Sequence, residues 1–129
     1  MKAIADTPEA ARDLVRDALE EMKAEHPVIL DVRGRTAITD FMAFATGNSR
    51  RHVKSISERL VERAKAAGCP PLGVEGLEGG EWVLVDLGDA VAHVMLEEVR
   101  DFYRLERIWG VDDDLDALGE DDAAGQGGG

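Results

Sequence analysis

The sequence predicts a single α/β domain in which helices pack on a mixed sheet of about five strands. Two observations predict this class. Segments with helical periodicity alternate along the chain with short apolar segments in which side chains alternate with a period of two. The 129 residues also suffice for one domain of common size with a real core. We place the domain at residues 1–110 and an acidic, glycine-rich tail, expected to be disordered, at residues 111–129.

The first half of the chain predicts two helices and two strands. Thr7 and Pro8 are typical of a helix start, and this helix is expected to end near residues 26–27. Short apolar strands are predicted at residues 28–32 and 41–46. Asn48 or Ser49 then caps a second helix. Four apolar residues at helical spacing form its buried stripe: Val53, Ile56, Leu60 and Ala64.

The second half predicts three strands and a last helix. Residues 72–74 form a brief strand, and two adjoining strands follow within residues 81–96. Gly88 lies in the connection between those two strands and permits the positive φ that a tight hairpin usually needs. The last helix begins with two glutamates at residues 97–98 and is expected to run to about Trp109.

The two adjoining strands have faces of different composition, because side chains alternate across a strand. One face is aliphatic and is expected to be core: Val83, Val85, Leu87, Ala92, Val94 and Leu96. The other mixes apolar, acidic and imidazole side chains: Trp82, Leu84, Asp86, Val91, His93 and Met95. Tryptophan and methionine are enriched at the centres of protein interfaces, so this second face is a candidate recognition surface, with Tyr103 and Glu106 at its flank. The alternative, that a helix covers this face and buries Trp82, is equally compatible with the residues.

Composition limits the classes of partner. No apolar run long enough to span a membrane and no signal-peptide pattern occurs, and a lone cysteine, Cys69, suits a reducing compartment, so we expect a soluble cytoplasmic protein without membrane contact. The net charge is −12, and without the seven acids of the tail it is −5. A mildly acidic domain argues against extensive phosphate-backbone binding and favours a basic protein partner. The basic cluster of Arg50, Arg51 and Lys54 leaves a contact with RNA open.

An enzyme is the main alternative to a binding protein. A turn at residues 47–49 before a helix could hold a phosphate, as in a magnesium-dependent nucleotidyltransferase. Shared magnesium would require carboxylates at alternate positions of a strand, whereas Asp86 and Asp89 are three apart and Gly88 bends the chain between them. A plain turn and helix cap is therefore favoured, and we expect neither catalysis, a metal site nor a cofactor.

Several segments, in this order, resemble the ribosomal silencing factor family, also called Iojap-like or RsfS. They are LDV (30–32), TDF (39–41), ATGNS (45–49), RHV (51–53), PLGVEG (71–76), EWVLVDLGD (81–89), HVM (93–95), FYRLE (102–106) and Trp109. The resemblance spans about residues 8–110, which makes it far more specific than any single motif.

The resemblance implies a fold distantly similar to that of nucleotidyltransferases, without their activity. It implies a translational repressor that binds the large ribosomal subunit through ribosomal protein L-fourteen and sterically prevents joining of the small subunit when nutrients are short. The family's binding surface includes the tryptophan that matches Trp82. Carried onto this sequence, the implied binding residues are Trp82, Leu84, Asp86, His93 and Met95, with Tyr103 and Glu106 as flanking positions. A homodimer that uses the same face remains an alternative.

Overall fold

The structure, a computed structural model, describes residues 7–104 and Arg107, without the side chains of Phe102 and Tyr103. Its elements are α1 (Pro8–Glu21), β1 (Glu25–Asp31), β2 (Phe41–Gly47), α2 (Arg50–Ala66), β3 (Gly73–Glu75), β4 (Trp82–Asp86), β5 (Ala90–Leu96) and α3 (Glu97–Tyr103). The five strands form one sheet in the order β1-β2-β5-β4-β3. Only β2 and β5 pair in parallel, and the other neighbours are antiparallel. The predicted α/β domain with a mixed five-stranded sheet is confirmed.

Helices α1 and α2 cover one face of the sheet and form the larger core with it. The predicted stripe of α2 is confirmed, because Val53, Ile56, Leu60 and Ala64 are all fully buried. They pack with Val15 and Leu19 of α1 and with the aliphatic face of β4 and β5. Burying this apolar area is the main stabilising contribution to the fold.

Both long helices begin at the residues that the sequence indicates. The Thr7 hydroxyl accepts a hydrogen bond from the backbone N–H of Ala10 at 3.0 Å, and Pro8 occupies the first turn of α1. Of the two candidate caps for α2, the structure selects Ser49, whose hydroxyl accepts from the N–H of His52 at 3.0 Å. Each cap satisfies an N–H that has no partner within the helix.

Two predicted helix ends are wrong. Helix α1 ends at Glu21 rather than near residues 26–27, because Lys23 turns the chain with φ 56° and β1 then begins at Glu25. The pairing of β1 with β2 thus extends across Pro27, which lacks an N–H, and the register shifts there. Helix α3 ends at Tyr103, where Arg104 adopts the left-handed conformation with φ 49°. Trp109, the predicted end, lies outside the described residues.

The second face of the sheet carries a smaller core. Its buried members are Val32, Met42, Phe44, Val91 and Met95. Val99 of α3 packs against this cluster, so α3 lies on the opposite side of the sheet from α1 and α2. Arg100 of α3 donates to the carbonyl of His26 at 2.7 Å and to the hydroxyl of Thr46 at 3.0 Å, which ties the helix to β1 and β2.

Candidate binding surface

The pairing of β4 with β5 brings the candidate residues together on one face. Trp82 lies opposite Met95, Leu84 opposite His93, and Asp86 opposite Val91. Directly opposed residues of an antiparallel pair project to the same side. The predicted division into two faces is therefore confirmed, with the aliphatic set against α1 and α2 and the Trp82 set on the other side.

Trp82 is half-buried and is hydrogen-bonded to the neighbouring strand. Its indole Nε1–H donates to Nδ1 of His93 at 3.0 Å. The two ring centroids are 6.0 Å apart and the ring planes are tilted by 49°, so the rings meet through this bond rather than by stacking. Because the indole nitrogen can only donate, Nδ1 must carry a lone pair, and the proton of the neutral imidazole lies on Nε2.

His93 is held in turn by Phe44 of β2. The rings stack with 5.2 Å between their centroids and 9° between their planes, and Phe44 is completely buried. Burial lowers the pKa of His93 to about 4, because the charged imidazolium would lose its hydration there. The imidazole is therefore neutral at physiological pH, as the bond from Trp82 requires.

Met95 does not project outward, contrary to the sequence-based expectation. Its side chain is fully buried in the smaller core, with Phe44 and Val91. The cause is α3, which follows β5 directly and packs Val99 against this cluster. The alternative that a helix covers this face is thus correct at Met95, while Trp82 and Leu84 stay partly exposed.

Two carboxylates border the exposed part of this face. Asp86 is half-buried, and its Oδ1 accepts from the N–H of Gly88 at 2.8 Å, so it also fixes the predicted hairpin. Glu75 is exposed and lies opposite Leu84 in the β3–β4 pair, which places it on the same face. The sequence analysis missed Glu75, because the face on which it lies depends on the register of β3 against β4.

The predicted flanking role of Tyr103 and Glu106 concerns side chains outside the described part of the chain. Tyr103 ends α3, but its side chain lies outside the described part of the chain, and Glu106 lies outside it entirely. Their predicted role stays a prediction.

The residues considered for catalysis have structural partners. Ser49 caps α2, and the carboxylate of Asp86 binds the hairpin backbone. In the basic cluster, Arg50 and Arg51 are both exposed, and Arg50 forms an ion pair with Glu81. Among the described residues, no group of three or more His, Cys, Asp and Glu side chains could hold a metal ion. In the same part of the chain, no helix has the length and apolar character needed to cross a membrane.

The fold and this surface define a small α/β protein with a half-buried tryptophan on the side of the sheet away from its two long helices. The chain belongs to the ribosomal silencing factor family: the family model described as "Ribosomal silencing factor during starvation" matches residues 5–127. The resemblance inferred from the sequence is thereby confirmed. The match continues past residue 110, and the boundary between domain and tail stays a prediction.

Named relatives and solved structures agree with this assignment. The chain is 45% identical over 97 residues to the ribosomal silencing factor RsfS of Chromobacterium violaceum, covering 75% of this chain and 80% of that protein. It is 39% identical over 109 residues to that of Zymomonas mobilis, covering 84% and 82%. The mouse protein named "Mitochondrial assembly of ribosomal large subunit protein 1" is 31% identical over 100 residues, covering 75% of this chain and 44% of that protein. A crystal structure of a Chromobacterium violaceum protein superimposes with a TM-score of 0.79 at 42% identity, covering 81% of this chain and 87% of that one.

Proposed function

We propose that this protein is a cytoplasmic translational repressor that binds the large ribosomal subunit through ribosomal protein L-fourteen. By occupying that site it would sterically block joining of the small subunit, notably under nutrient limitation. Membership of the ribosomal silencing factor family supports the regulatory role. The name of the mouse relative, which refers to the ribosomal large subunit, supports the choice of partner.

The observation that carries the proposal is the composition and exposure of one face of β4. Four residues form this face, and we refer to them together as the Trp82 surface: Trp82, Leu84 and Asp86 of β4 and Glu75 of β3. An apolar centre bordered by carboxylates suits a basic protein, because the apolar groups provide area to bury and the acids complement positive charge. Tyr103 and Glu106 are proposed to add flanking contacts to this surface.

His93 and Met95 have a different place in this proposal. Met95 is buried directly opposite Trp82, and His93 lies partly buried beside Trp82 and Leu84 on the same face. Met95 supports β4 and β5 from within the smaller core, and His93 binds the indole of Trp82. Steric blocking requires affinity and bulk but no turnover, so the proposal includes no catalytic residue and no cofactor.

Cosedimentation with purified large subunits tests the proposal. Trp82→Ala should weaken binding by about a hundredfold, because a central tryptophan is a typical interface hot spot. Ile38→Ala is the matched control: Ile38 is 80% exposed and lies in the loop between β1 and β2, at the end of the sheet away from Trp82. Circular dichroism verifies that both variants fold. Equal binding by Trp82→Ala and the wild-type protein would exclude the Trp82 surface as the docking site.

A second measurement addresses the mechanism. Wild-type protein added to large subunits before small subunits should lower the yield of joined ribosomes, and Trp82→Ala should not. If the protein binds large subunits but leaves the yield unchanged, the steric mechanism is wrong even though the partner is correct.

A further inference from the structure

The Trp82 side chain makes a directional contact within the protein. An indole has a single hydrogen-bond donor, and that of Trp82 is used within the protein, on Nδ1 of His93 at 3.0 Å. The bond crosses from β4 to β5, between residues that are diagonal neighbours in the register. It therefore fixes the indole relative to the sheet rather than only relative to its own strand.

The acceptor is itself rigid. His93 is stacked on Phe44 at 5.2 Å, and Phe44 lies in the smaller core with no exposed surface. Phe44, His93 and Trp82 thus form a row of contacting rings across the neighbouring strands β2, β5 and β4. A side chain held in this way loses little conformational freedom on binding, which favours affinity.

We infer that His93 is a positioning residue, which holds the Trp82 indole in the orientation that binds the partner. This inference rests on the proposed function, because it assigns a task to a residue that contacts the Trp82 surface from β5. It also limits the chemistry of the partner group. Since the indole N–H is occupied by His93, the partner meets Trp82 through ring carbons, and a cationic or apolar side chain fits there better than a hydrogen-bond acceptor. The carboxylates of Asp86 and Glu75 on the same face favour the cationic case.

Two substitutions of His93 separate its acceptor from its bulk. His93→Phe keeps an aromatic ring to stack on Phe44 but has no acceptor for the indole N–H. His93→Asn places an amide oxygen near the position of Nδ1 and restores the acceptor with less bulk. If His93 acts through its acceptor, the asparagine variant should resemble the wild-type protein more closely than the phenylalanine variant does.

The first readout is the indole N–H resonance of Trp82 in the full-length protein, identified as the one that disappears in Trp82→Phe. Its exchange with water should accelerate about tenfold or more in His93→Phe and recover in His93→Asn. The second readout is affinity for purified large subunits, which should fall about tenfold in His93→Phe and recover at least in part in His93→Asn.

The outcomes distinguish this inference from the proposed function. If His93→Phe binds large subunits as tightly as the wild-type protein while Trp82→Ala does not bind, the positioning role is wrong and the proposed function stands. An indole resonance with unchanged exchange in His93→Phe also overturns the positioning role. If the wild-type protein itself fails to bind large subunits, the proposed function fails, and the positioning role fails with it because there is no bound orientation to hold.

Discussion

Gly76 lies against the backbone of Trp82 with no room for a side chain. A Cβ atom on Gly76 would lie 2.1 Å from the carbonyl oxygen of Trp82, and the glycine also has φ +85°. The turn between β3 and β4 therefore sets where β4 begins, and with it the position of the residue at the centre of the Trp82 surface.

We predict that Gly76→Ala destabilises the fold by at least about 2 kcal/mol, since it combines a left-handed conformation with a backbone clash. Gly73→Ala is the matched control, because Gly73 begins β3, three residues before Gly76, and a Cβ there would meet no atom within 4 Å. Chemical denaturation of both variants measures the difference. Equal unfolding midpoints would show that the turn relaxes without displacing β4.

The burial of Met95 leads to a prediction that separates packing from partner contact. Met95→Ala should lower the free energy of unfolding by about 2–5 kcal/mol, because it leaves a cavity beside Phe44 and Val99. Met95→Leu conserves most of the volume and should cost less than about 1.5 kcal/mol while leaving affinity for large subunits unchanged. Loss of affinity in a stable Met95→Leu variant would instead indicate direct contact with the partner.

The division of β4 and β5 into two faces was predictable because side-chain alternation is a local property of the chain. The same pattern placed Trp82 and His93 on one side, and the glycine at position 88 indicated the hairpin that brings them together. What covers a face is a nonlocal property. The burial of Met95 depends on α3 folding back over β5, and composition alone left that alternative open.

Element ends and strand neighbours were harder to predict for a similar reason. Pro27 is a common helix terminator, yet here it lies within β1, because pairing with β2 extends as far as Glu25. Glu75 joins the Trp82 surface only through the register of β3 against β4, which the sequence does not specify. In both cases the missing information is how one strand pairs with its neighbour, which is not a local property of the chain.

The buried neutral imidazole of His93 makes stability depend on pH. Burial lowers the pKa of His93 to about 4 in the folded protein, against about 6.5 in an unfolded chain. Between these two pH values the unfolded state binds more protons than the folded state. The contribution of His93 to the free energy of unfolding is therefore fully present above about pH 6.5 and is lost as the pH falls toward 4. This pKa difference corresponds to about 3 kcal/mol in the free energy of unfolding.

Comparison with His93→Phe isolates this contribution. Unfolding free energies measured at intervals between about pH 7 and pH 4 should fall more steeply for the wild-type protein, by up to about 3 kcal/mol at the acid end. The carboxylates with lowered pKa values, such as Asp31 at about 2, lose their stabilisation at lower pH and are shared by both proteins. Parallel pH profiles for the two proteins would show that His93 is not buried in neutral form.

Glu75 offers a test of electrostatic complementarity on the Trp82 surface. Glu75→Gln removes one negative charge from this face, and Glu78→Gln removes one from the exposed loop between β3 and β4, so both variants have the same net charge. A basic partner is attracted most by the charge that it approaches most closely. Glu75→Gln should therefore lower the association rate constant about threefold at low salt, whereas Glu78→Gln should change it little. The difference should vanish at high ionic strength, where exposed charges are screened. Surface plasmon resonance on immobilised large subunits measures these rates, and equal effects of the two variants would mean that the partner responds to overall charge rather than to this face.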